Sequence, residues 1–369
     1  MMKCSKRYSV IKTRIFVADL VITAVSLAVF QIFLSRPVSQ AAFNIYSNFY
    51  AACFVFAGIF LVFIYAAGLP LHIINSFFVE HRFGLSRQSF GAWLADEAKS
   101  TALSFALAII SIQVFYLILR NFPSAWWIIA AAAWIFFSVV LARLLPVVLI
   151  PVFFKYIPIE DRLLKERIML LANKAGVPLM DVCQIDFSRK TAKANAALVG
   201  LGKTRKVILA DTLTEKFAQK EVEAVVAHEF GHLKYKHIWQ LLAFSGVMTI
   251  AGFFILSLIA KKVVVLTGAS ALSDPYLLPV LVFMMAAFSI ILLPAQNLFS
   301  RILERQADRF ALEMTGEPEE FISVMRKLAE MNLAETEPSR MKKIFLYNHP
   351  PIGERIRMAE KLKVGGMLN

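Results

Sequence analysis

The sequence predicts an all-α integral membrane protein that also carries a mostly helical soluble domain with a small β-hairpin. Of its 369 residues, 58% are hydrophobic and 18% charged, against roughly 45–50% and about 25% in soluble domains. Six stretches are apolar for about the 20 residues a helix needs to cross a bilayer at roughly 1.5 Å per residue. The charge is also segregated, with a net +14 that collects in a few segments. This pattern excludes a disordered chain and a wholly water-soluble one. In a membrane chain a basic excess reads as the positive-inside rule, so no nucleic-acid partner is implied. Cys4, Cys53 and Cys183 are scattered and odd in number, giving neither a disulfide framework nor a CxxC metal motif.

In chain order, residues 1–150 hold four spans, at about 15–35, 51–76, 101–120 and 125–150. The first follows Lys3, Lys6, Arg7, Lys12 and Arg14, so a cleavable signal peptide is its rival. An apolar run of about 20 residues exceeds the 7–15 of a signal h-region, which favours an uncleaved anchor. Asp19, costly at mid-membrane and so a functional candidate by default, lies near its inner end, where contact with water equally accounts for it. Residues 151–240 are mixed and charged: a helix over Lys165–Ala175, strands at Asn195–Val199 and Val207–Ala210, and a turn at Gly200–Arg205. Residues 241–300 hold spans five and six, about 241–260 and 277–299. Cys53 and Met285 read as packing residues within spans. Residues 301–369 are again charged and helical, broken at Gly316–Pro318, Pro338 and Pro350–Pro351. With a cytoplasmic N-terminus, the outer loops hold only Arg36, Arg120, Lys261 and Lys262, and the other 36 of 40 basic residues lie inside. Both termini and both soluble halves then face the cytoplasm, where the halves can join into one domain. There is no internal repeat and no low-complexity tract.

The chemistry is concentrated at Val225–His232, which contains HExxH. On a helix His228 and His232 stand four residues apart on one face and converge on a single zinc ion. Glu229 beside them is placed to take a proton from the water that such an ion activates, as in a zincin-type metalloprotease. A catalytic zinc takes three protein ligands. His237 follows His232 by five residues rather than six, and Tyr235 stands where the longer HExxHxxGxxH motif has glycine, so that variant is set aside. A carboxylate fits better. Glu304 and Asp308 lie one turn apart, so that one ligates while the other orients a ligating imidazole. If both helices run unbroken into their spans, His232 lies roughly 14 Å below Leu241 and Glu304 about 8 Å below Phe299, at similar depth.

These residues resemble the type I CAAX prenyl proteases and, more loosely, HtpX-like membrane peptidases of the same gluzincin family. The likeness covers most of the chain: Gly68-Leu69-Pro70, Asn75 to Glu80 and Gly84, Pro151-Val152-Phe153, Asn195-Ala196, HEFGHLKYKH, ERQAD, and His349-Pro350-Pro351 with Glu354-Arg355. It implies one zinc per chain on His228, His232 and Glu304, with Asp308 as partner to a ligand. It further implies that His349 and Arg355 contact the substrate and stabilise the oxyanion. For the fold it implies a ring of helices around a water-filled chamber, closed on the cytoplasmic side by the protease domain. The eukaryotic enzymes have seven spans where this chain shows six.

The expected activity is hydrolysis of peptide bonds at the cytoplasmic membrane face, with zinc polarising the carbonyl and Glu229 carrying the proton to the leaving amine. Asn195 and Ala196 look like the start of an edge strand that pairs with an extended substrate, although Asn195 equally suits a turn. The partners implied are a peptide or protein, its C-terminus lipidated in the CAAX case, and membrane lipid; no oligomeric state is implied. An HtpX-like quality-control endopeptidase shares the same chemistry. A non-catalytic receptor or carrier is disfavoured by the intact set of ligands and base.

Overall fold

In the computed structural model, which describes residues 2–200 and 202–364, six helices are long and apolar enough to cross a membrane. They are Lys3–Ile45, Phe49–Arg82, Phe90–Asn121, Trp126–Leu144, His237–Thr267 and Pro275–Thr315. Several run well past the apolar stretch that defines them. The sixth continues without a break to Thr315, so the residues below Phe299 ride on the span itself. Side-chain caps start the second and third: Asn48 accepts from the Tyr50 and Ala51 amides, and Ser89 from Ala92.

The spans close a ring in chain order, each packing on the next and the sixth returning to the first. Six rods joined in this way enclose a central space. That space is plugged at the end far from the soluble domain. Phe30, Phe56, Tyr116, Trp126, Phe253 and Leu277, one from each span or the turn leading into it, meet there in a continuous buried core. Among the described residues no comparable apolar core joins the near ends, so the ring opens toward the soluble domain. This agrees with the chamber that the resemblance implies. Near the opening, Glu80 receives Tyr8 at 2.6 Å, Lys12 at 3.1 Å and Lys193 at 2.9 Å. These contacts tie the first two spans to the loop before the hairpin.

Both soluble stretches contribute to one further core. Leu164 and Ile168, Val207 and Leu209, Val222 and Phe230 come from the first stretch; Leu312, Phe321, Met325 and Ala359 come from the second. The sheet has four strands, β1 (Tyr156–Ile157), β2 (Asp181–Ile185), β3 (Ala196–Val199) and β4 (Lys206–Ala210), in the order β1-β2-β4-β3. β3 and β4 form the expected antiparallel hairpin, with Ala197 opposite Ile208. The turn predicted over Gly200–Arg205 includes Leu201, and the second soluble half ends in 365–369; these residues lie outside the described ones. Gly200 takes φ +88°, and a Cβ there would meet the Thr204 carbonyl oxygen at 2.5 Å, so only glycine fits. β2 runs parallel to β4, a long-range pairing, and leaves β3 on the edge.

One expectation is corrected. The HExxH helix does not run on into the fifth span. It covers Gln219–Lys234, and the span starts at His237 after Lys236 adopts a left-handed φ of 56°. No glycine, proline or asparagine marks this break. It is imposed by packing, at about 1–2 kcal/mol for a residue with a Cβ.

Candidate active site

The motif helix is fixed at its first turn by Glu221, which is 2% exposed. Its carboxylate accepts from the Ala218 amide at 2.7 Å, Ser323 Oγ at 2.5 Å and Lys327 Nζ at 2.6 Å. This clamps the helix to the helix Pro318–Met331. One turn before its end it crosses the sixth span at Gly231. A Cβ there would lie 2.9 Å from Ala307 Cα, so the missing side chain is what lets the two backbones meet.

That approach brings Glu304 against both motif histidines. His228 Nε2 and His232 Nε2 are 3.1 Å apart. Glu304 Oε2 is 3.3 Å from the first and Oε1 is 3.4 Å from the second. Zinc bonds of 2.0–2.1 Å at tetrahedral angles place ligand atoms about 3.3 Å apart, so the triangle already has the right edges. Glu304 Oε2 is buried and has no hydrogen-bond partner, which is the mark of an oxygen meant for a cation. The contacts behind the site agree. His228 Nδ1 faces Asp308 Oδ1 at 2.8 Å. His232 Nδ1 lies 2.9 Å from His237 Nδ1, and His237 Nε2 lies 3.1 Å from Gln306 Oε1. One assignment satisfies that chain: Gln306 accepts from His237 Nε2–H, and His237 accepts from His232 Nδ1–H. Both motif histidines are then left with a bare Nε2 turned on the same point. The donor set fits zinc.

Electrostatics follow the geometry. Burial works against charge on His228, but the Asp308 and Glu304 carboxylates outweigh it and hold its pKa up at about 9. A metal must displace that proton, so loading weakens as pH falls. Burial brings His232 down to about 4. Burial opposes the charge on Asp308 too, yet the Arg355 guanidinium and His228 keep it well below the usual carboxylate range. Glu229 has no hydrogen-bond partner among the described residues, and burial raises its carboxyl above the ordinary glutamate value. A raised, uncommitted carboxylate beside the ligands suits a proton acceptor.

The second soluble stretch supplies the rest. His349 Nε2 lies 3.3 Å from Glu304 Oε1, and its ring is 54% exposed, on the open side of the site. Arg355, by contrast, faces backward. Its Nε donates to Asp308 Oδ2 at 2.8 Å and its Nη2 to Oδ1, leaving Nη1 without a partner among the described residues. Asn195 and Ala196 touch none of the three donors. Asn195 Oδ1 accepts from the Ala196 amide and its carbonyl from Ala210. β3, which begins at Ala196, packs on the motif helix and keeps one edge unpaired.

Several contributors were not foreseen from the sequence. His237, weighed there only as a ligand, stands behind one. Arg301 donates to the Lys343 and Tyr347 carbonyls at 2.8 and 2.6 Å, and Asn297 to Ile344 at 3.1 Å. They cap the helix Arg340–Leu346 and so fix the loop that presents His349. Asn297, Arg301, Glu304 and Asp308 are all buried along one face of the sixth span. Their spacing of four, three and four was the available signal.

Comparison with known proteins agrees with this arrangement. Residues 158–363 match Peptidase family M48, and residues 2–155 match a family described as "CAAX prenyl protease N-terminal, five membrane helices". Four long apolar helices occupy that N-terminal region in this chain. The chain is 30% identical to the uncharacterized metalloprotease YhfN of Bacillus subtilis over 79% of its length and 70% of the relative's. It is 29% identical to CAAX prenyl protease 1 of Saccharomyces cerevisiae, over 78% of this chain and 67% of that one. The crystal structure of S. mikatae Ste24p shares the fold, with a TM-score of 0.82 at 24% identity over 96% of this chain and 87% of that chain. A convergent HExxH and glutamate donor set, carried on a ring of membrane helices and matched over more than half the chain, makes this a membrane metalloprotease belonging to peptidase family M48.

Proposed function

We propose that the chain is a zinc endopeptidase that trims the lipidated C-terminal tail of membrane-tethered proteins at the cytoplasmic face. The observation that carries this is the donor triangle with tetrahedral edges, held at the open mouth of the ring. One zinc per chain is held by His228, His232 and Glu304, with Asp308 orienting His228. Zinc bound there would supply Lewis acidity toward the scissile carbonyl and lower the pKa of water toward neutrality. Glu229 is placed to accept a proton from the attacking water and to pass it to the leaving amine. His349, on the exposed side, donates to the developing oxyanion. Arg355 locks Asp308 in place and keeps Nη1 for the substrate. The free edge of β3, starting at Asn195 and Ala196, aligns the peptide backbone by strand addition.

The cytoplasmic assignment rests on the basic residues at the inner ends of the spans. The lipidated substrate is supported by the relatives of Saccharomyces cerevisiae and Arabidopsis thaliana named as CAAX prenyl proteases. The test is hydrolysis by detergent-purified protein of matched farnesylated and unmodified peptides, with and without chelator. Cleavage of the farnesylated peptide alone, abolished by chelator and restored by zinc, is expected. Equal cleavage of both peptides would replace the lipid-directed activity with general membrane proteolysis.

A further inference from the structure

Apart from the donor triangle, the soluble domain meets the fifth span at a cavity of about 340 Å³. The turn Ala175–Pro178, Arg205, the end of the motif helix from His232 to Lys234, Lys236, Ile238 and Trp239 form its walls. No acidic residue lines it. The side chains of Arg205, Lys234 and Lys236 have no hydrogen-bond or ion-pair partner among the described residues. Arg143 of the fourth span adds a fourth charge at this corner, lying 4.8 Å from the Trp239 ring centre.

Depth decides what such a corner meets. The apolar run of the fifth span starts at Leu241, which puts Trp239 about 3 Å and Lys236 about 8 Å outside the hydrocarbon. The headgroup layer is roughly 5–8 Å thick on each side. Trp239 and Ile238 are each 48% exposed and stand where an acyl chain begins, with an aromatic at the position interfacial belts favour. The left-handed turn at Lys236 separates the motif helix from the span and so opens the cavity at this level.

We propose that this cavity binds the phosphate of an anionic phospholipid, with Arg205, Lys234 and Lys236 around the headgroup and Ile238 and Trp239 along the start of its acyl chain. The bound lipid then pins the soluble domain to the bilayer surface at the turn of His232, which itself lines the cavity. The site depends on the membrane position of the chain and not on its substrate.

The test uses the full-length protein reconstituted in phosphatidylcholine vesicles containing one-fifth phosphatidylglycerol, re-extracted and examined by native mass spectrometry. Wild type should retain one phosphatidylglycerol per chain. The triple variant Arg205→Gln, Lys234→Gln, Lys236→Asn should lose it, with asparagine chosen because it tolerates the left-handed turn. Each basic residue near an anionic surface contributes about five-fold, so the triple change should weaken retention on the order of a hundred-fold. Lys234→Gln alone, at an exposed helix end, should show the five-fold step even if the triple variant folds poorly. A Lys261→Gln, Lys262→Gln variant at the other end of the span should retain the lipid. Equal retention by the triple variant would overturn the proposal. So would displacement of the lipid by millimolar inorganic phosphate, which would make this a free-anion site. Because lipid retention is read without any peptide substrate, failure of the proposed cleavage would leave this result intact.

Discussion

At the scale of single residues the site divides into groups that touch the reacting atoms and groups that hold those in place. On the proposed mechanism His349 belongs to the first. It is exposed, adjacent to Glu304, and not needed by a metal with three protein ligands. His349→Ala should therefore lower kcat by roughly 10²–10³ while zinc content, measured by metal analysis, stays at one equivalent. Loss of zinc would instead make His349 a ligand. His237 belongs to the second group, since its Nδ1 accepts from His232 and its Nε2 donates to Gln306. His237→Ala should weaken zinc binding by about 10–100-fold in a chelator competition, and His237→Leu, which restores bulk without an acceptor, should not rescue it. The motif pair and Glu229 were legible because their spacing is local. The part played by His237 was not, because it depends on a chain reversal at Lys236 that no residue type announces.

At the scale of elements, the approach of two helices at Gly231 decides whether the donors converge. Gly231→Ala places a methyl against the Ala307 backbone, which should cost about 1–3 kcal/mol and reduce zinc affinity by forcing Glu304 away from the histidines. Unchanged zinc content and melting temperature would mean that the helices separate freely. The start of the same helix depends on Glu221. Burial raises a carboxyl, but Lys327, Ser323 and the Ala218 amide outweigh it, and the Glu221 pKa lies below its ordinary value. A depressed pKa contributes stability that is present above the unfolded-state value and lost as pH falls through the folded-state one. Glu221→Gln should thus lower stability by about 1–2 kcal/mol near neutrality, and the difference in melting temperature from wild type should shrink below about pH 4.5. The hairpin was visible in sequence from its alternation and turn. β1, only two residues long, and β2, which pairs in parallel with a strand about 25 residues on, had no local pattern to betray them.

At the scale of the whole molecule, the six apolar stretches were evident from hydropathy alone, whereas the closure of the ring and its plug at one end were not. Those depend on which faces of Phe30, Tyr116, Trp126 and Phe253 meet, and hydropathy carries no such pairing. The two soluble halves share one core, so they must lie on the same side of the membrane. Cysteines placed at Lys165 and Lys343 should both be shielded from an impermeant reagent in intact cells; labelling of both would reverse the proposed orientation. The plugged ring also makes the space inside the spans a cul-de-sac. A polypeptide can enter it only as a loose end, tip first, and must leave by the way it came. On the proposed function, selection for chain termini would then follow from the shape of the vestibule before any side chain reads a sequence. A stable domain fused within a few residues of a cleavable tail should block processing, and a long flexible spacer should restore it.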